Sequence, residues 1–69
     1  MDRVERYLAL EKLSNALQER EHEHLAYLRY GSAERARAAR RQAEEELMEL
    51  ERVMTTEELL EVEQRLSSN

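Results

Sequence analysis

Apolar side chains along this chain fall into two long helical stripes separated by a single glycine. In the first stripe they recur at Leu10, Leu13, Leu17 and then Tyr27 or Leu28, the three-to-four spacing of an amphipathic helix. The second repeats Ala36, Arg40, Ala43, Leu47, Leu50 and Met54 in alternating steps of four and three. That is a heptad seam, which packs helices side by side at a shallow angle. Beyond Met54 the phase breaks, because continuing it would put Glu57 and Glu61 on the seam. The apolar positions become Leu59, Val62 and Leu66 instead.

The ends of these stripes carry helix signals. Asp2 is a good N-cap, with Glu5 placed to complete a capping box, and Thr55 with Glu58 repeats the pattern. Gly31 is the only glycine and there is no proline, so Gly31 followed by Ser32 is the natural turn. The sequence therefore predicts an all-α antiparallel hairpin, with helices over about 2–30 and 33–54 and a short third helix over about 56–67. Folding the two stripes about Gly31–Ser32 sets Tyr27 against Ala36, His24 against Arg40 and Arg20 against Ala43. Farther out, Leu17 meets Leu47, Leu13 meets Leu50 and Leu10 meets Met54. Large residues then face alanines near the turn, and leucine faces leucine beyond it.

Length now matters. A chain of 69 residues is one domain, residues 1–69, and buries too little surface to be comfortably stable alone. There are no cysteines, so disulfides are excluded. Val4, Leu8, Leu25, Met48, Val53, Leu59 and Leu60 fall off the seam and are candidate interface residues. The third helix is placed to cover the end near Val4 and Leu8. The rest argues for a partner, and pairing two hairpins into a four-helix-type bundle is the simplest symmetric solution. No apolar run approaches the length of a membrane span and no signal-peptide pattern is present, so a cytoplasmic protein is expected.

Charge adds orientation. Residues 1–28 carry net −2, residues 29–41 carry +4 and residues 42–69 carry −7. A basic tip and an acidic far end run against the macrodipole of the second helix. Local pairs such as Arg40–Glu44 and Arg41–Glu45 offset this in part. Two copies packed antiparallel would set each basic tip beside the other's acidic end. The tip arginines Arg29, Arg35, Arg37 and Arg41, beside Tyr27 and Tyr30, also form an alternative anion or nucleic-acid site. The net charge of −5 weighs against phosphate binding.

The run from Gln18 to His24 is the one stretch that resembles a chemical site. It holds Glu-x-x-His twice, as Glu19 with His22 and Glu21 with His24, a spacing that ferritin-like di-iron proteins use. A metal-binding oligomer built on these four residues is the alternative function. Against it, the second long helix has no histidine, and Arg20 and Arg40 would repel a cation. Arg20, His24 and Arg40 also fall on consecutive seam layers, which reads as a polar layer selecting register and oligomeric state. No glycine-rich phosphate loop or cysteine nucleophile supports catalysis. The expectation is a small protein–protein interaction or regulatory module without cofactor or enzymatic activity. It would act as a homo-oligomer, with itself and another protein as partners.

Overall fold

The structure, a computed structural model, describes residues 2–68. It is all-helical, with α1 over Arg3–Ala26, α2 over Tyr30–Val53 and α3 over Thr56–Ser67. The first two helices form the hairpin, and α3 folds back onto α1. None of these helices is long and apolar enough to cross a membrane.

The helix starts follow from their caps. The Asp2 carboxylate accepts the Glu5 N–H at 2.8 Å. Thr55 Oγ1 accepts the Glu58 N–H at 3.1 Å, while Glu58 Oε1 accepts the Thr55 N–H at 2.9 Å. This reciprocal box satisfies two otherwise orphaned donors, and it ends α2 without glycine or proline. Met54 and Thr55 are extended and form the whole connection.

The hairpin turn lies elsewhere than the glycine predicts. The first helix stops at Ala26, and Leu28 takes the left-handed conformation at φ 58°. The Leu28 N–H donates to Leu25 O at 3.1 Å and the Arg29 N–H to His24 O at 2.7 Å. That pair of bonds is a Schellman motif, with leucine at the position glycine usually fills. Gly31 sits in the first turn of α2 without positive φ, and Ser32 is inside the helix rather than at its N-cap. Arg29 takes the N-cap place and makes no side-chain capping bond.

Moving the turn back by three residues slides the two helices by about one heptad. A heptad seam looks the same after such a slip, so the α2 seam stands while its partners change. Leu10 packs with Leu47 and Ala43 rather than Met54, and Met54 packs with Val4. Tyr27, expected opposite Ala36 in the core, is 68% exposed at the tip.

The α1 seam itself also differs. Its buried and half-buried positions toward α2 are Tyr7, Leu10, Ser14, Leu17, Glu21 and His24, in strict three–four alternation. Three of these, Ser14, Glu21 and His24, are polar, and the leucine spacing leads to Leu13 and Arg20 in place of Ser14 and Glu21. Leu13 lies off the seam and is 49% exposed.

The core is two small clusters. Val4, Met54 and Val62 form one, and Leu10, Ala43 and Leu47 the other, with Tyr7 and Leu50 touching both. Buried Ala33, Ala36 and Ala43 let the helix axes approach closely. Arg3 fastens the closed end by donating to Val53 O at 2.7 Å and pairing with Glu58 at 3.2 Å. Its charge thus sits at the negative end of α2. No large side chain among the described residues is fully buried. The molecule measures 43 × 25 × 17 Å, so its shortest dimension is about one and a half helix diameters.

Candidate interaction surface

The hairpin is covered on one flank only. There α3 places Val62 against Val4, with Leu8 packed beside them. An open groove also runs on this side between Leu8, Glu11, Lys12 and Asn15 of α1 and Arg65 and Leu66 of α3. No residue of α3 reaches the other flank, where three shallow grooves lie in line. The groove nearest the tip is bounded by Leu17, Arg20 and His24 of α1 and by Ser32, Arg35, Ala36 and Ala39 of α2. A central groove lies between Leu10, Leu13 and Leu17 and the α2 residues Ala39, Gln42, Ala43 and Glu46. The last is framed by Arg6, Glu46, Glu49, Leu50 and Val53. Leu17 and Ala39 join the first two, and Glu46 joins the second to the third, so the strip is continuous.

Its floor is apolar in the middle because Ala39 and Ala43 carry too little side chain to fill the space beside Leu13. Its ends differ in charge. Arg20 and Arg35 mark the tip end, whereas Glu46 and Glu49 mark the far end, with Arg6 as the one cation there.

Between the helices near the tip lies a partly buried ion pair. Arg40 Nη2 is 3.3 Å from Glu21 Oε1, and the two side chains are 23% and 12% exposed. The approach is off the hydrogen-bonding direction, so Glu21 Oε1 has charge compensation without a hydrogen bond. Arg40 reaches Glu44 more loosely, at 3.9 Å. His24 Nδ1 is likewise buried without a hydrogen-bonding partner. Arg20 is exposed and shares the tip groove with His24, while Arg40 engages Glu21. The three basic side chains therefore do not form one buried layer.

Two groups at the closed end have shifted acidities. The Tyr7 hydroxyl donates to Glu51 Oε1 at 2.8 Å. That bond, helped by burial and by the charges of Glu51 and Glu11, pushes the phenol up to about 12. Glu58 moves the other way. The Thr55 N–H and the Arg3 guanidinium favour its charged form over the opposing effect of burial, and hold its carboxyl below the usual range. Tyr7 is a seam residue that the stripe starting at Leu10 leaves out, although it stands three positions before Leu10 in the same alternation.

The other candidates are scattered. Val4 is buried and Leu8 is half-buried under α3, so these two are used inside the chain instead of at its surface. Val53 lines the open strip, whereas Leu25, Met48, Leu59 and Leu60 are exposed away from it. Glu19 and His22 are exposed while Glu21 and His24 turn inward. Among the described residues no three acidic, histidine or cysteine side chains come together in an arrangement for a metal ion. At the tip, the Arg29 guanidinium lies 5.6 Å from the centre of the Tyr27 ring. Arg35 donates to Ser32 Oγ at 3.2 Å, and Arg37 and Arg41 face solvent.

No family model, curated protein or solved structure matches this chain.

Proposed function

We propose that this chain is a small helical protein–protein interaction or regulatory module that acts as a homo-oligomer, with assembly into a four-helix-type bundle. One observation carries the reading: the hairpin is a single layer of two helices, with a third helix on one flank and none on the other. On that open flank Leu13 and Val53 each remain about half exposed or more. Scattered exposed apolar residues are ordinary, but a continuous strip with a leucine rim and an alanine floor is the form of a helix-packing surface. Burying it against another helical layer supplies the core that 69 residues do not build alone.

Analytical ultracentrifugation with multi-angle light scattering tests this over a range of micromolar concentrations. A mass of at least two chains that dissociates on dilution is expected. A stable, cooperatively folded monomer across the range would sink the proposal.

A further inference from the structure

The open strip carries two features that agree on one centre. Along its α2 edge, Arg35 and Glu49 stand one heptad to either side of Gln42. Across the central groove from Gln42, Leu13 and Leu17 form the apolar rim. A two-fold axis running across the strip at Gln42 therefore does two things together. It sets Leu13 against the partner's Leu17, and it sets Arg35 beside the partner's Glu49.

We infer that the occupant of this strip is a second copy of the chain, packed antiparallel with the two Gln42 residues meeting on the two-fold axis. This rests on the self-assembly proposed above and specifies its face and register. Helices α1 and α2 then each lie on their own counterpart, which makes an antiparallel four-helix core with α3 and its copy on the outside. Isologous contacts require one patch to be self-complementary, and this patch is so in both shape and charge. Leu13 projects at the rim beside the partner's Leu17, and the hollow beside Ala39 and Ala43 gives the facing leucines room to pack. The charge match belongs to the α2 edge; on the α1 edge Arg6 comes beside the partner's His24 and Arg20 beside the partner's Leu10. The opposite charges at the two ends disfavour the parallel arrangement, where like ends would meet.

The absence of native cysteine makes a direct test clean. Gln42→Cys under mild oxidation is expected to give a disulfide-linked dimer. Met48→Cys and Leu60→Cys, exposed elsewhere, are expected to remain mostly unlinked. A charge test reads the register independently. Arg35→Glu or Glu49→Arg alone should weaken association by about tenfold, by placing like charges together in both symmetry-related pairs. The double variant Arg35→Glu/Glu49→Arg should recover it. These positions are about 21 Å apart along one helix, so recovery cannot come from a contact within the chain. A dimer that cross-links through Met48→Cys or Leu60→Cys and not through Gln42→Cys overturns this face while leaving self-assembly intact. A monomer at every concentration overturns both.

Discussion

Replacing Gly31 with alanine is expected to stabilise the protein by about 0.5 kcal/mol, although the residue is the chain's only glycine and stands next to the turn. Gly31 lies in the first turn of α2 with no positive φ. A Cβ there would meet only Arg35 Nη1, at 3.9 Å, which is ordinary contact. Alanine in a helix interior gains about 1 kcal/mol over glycine, and roughly half is assigned here because first-turn residues are less constrained. For a domain this small, that raises the melting temperature by about 2–4 °C. Were Gly31 the left-handed turn residue, alanine would instead cost about 1–2 kcal/mol and lower the melt by several degrees.

Leu28 gives the opposite test. It holds the left-handed position and is 69% exposed, so glycine relieves strain there and sacrifices little burial. After the extra freedom that glycine brings to the unfolded chain, a net gain of about 0.5–1 kcal/mol remains. Circular-dichroism melts at one fixed protein concentration measure both effects, since association shifts the midpoint by mass action. If Gly31→Ala lowers the midpoint while Leu28→Gly leaves it unchanged, the assigned turn is refuted.

Four further outcomes follow from the contacts. Thr55→Ala should cost about 1 kcal/mol by removing the α3 cap. The depressed folded acidity of Glu58 adds stability that is present above the ordinary carboxylate range. It is lost as pH falls through the depressed value, and comparing acid melts with Glu58→Gln measures it. Tyr7→Phe should cost about 1 kcal/mol near neutrality, as one hydrogen bond to a carboxylate is lost. The folded phenol holds its proton up to about 12 against the ordinary 10, so stability should fall with rising pH between those values. Denaturant titrations of Tyr7→Phe should show that slope reduced. Arg40→Leu leaves the 12%-exposed Glu21 carboxylate without its cation, at a cost of about 2 kcal/mol. The double variant Glu21→Leu/Arg40→Leu should be less damaged than Arg40→Leu, and a double-mutant cycle in urea reads the coupling.

What could be read from the sequence depended on whether the chemistry of a position matched its place. The α2 seam is apolar or alanine at every step except Arg40, and its positions are buried or half-buried from Ala36 to Met54. The Thr55–Glu58 box forms as its spacing predicts, and α3 runs over Thr56–Ser67. The turn was hidden because a leucine does a glycine's work, held by two backbone bonds instead of by its own preference. With the turn placed at Gly31–Ser32 the heptad gives no warning, since a slip of one repeat leaves every α2 seam residue on the seam. The open strip was obscured for the same reason, because the shifted register gave Leu13 and Leu17 leucine partners within the chain.

The hidden α1 seam bears directly on the partner. This helix turns Ser14, Glu21 and His24 toward α2 while Leu13 remains at the rim and Leu17 is only half covered. A helix selected only to fold one hairpin would gain by the reverse choice, since rotating it slightly buries Leu13 and frees Ser14 and Glu21. The rotation is opposed at the closed end, where Val4 and Leu8 must meet α3 and Tyr7 must reach Glu51. Three surfaces thus compete for one helix, and the compromise leaves its leucines on the side that α3 does not cover. The proposed second copy on that side would turn the compromise into a core. It would also bring the partner's Glu49 near Arg35, an arginine in the first turns of α2, where its charge is unfavourable to the helix dipole. The same contact that buries Leu13 would then relieve the misplaced charge, which is why the shape and charge tests at Gln42 and Arg35 should succeed or fail together.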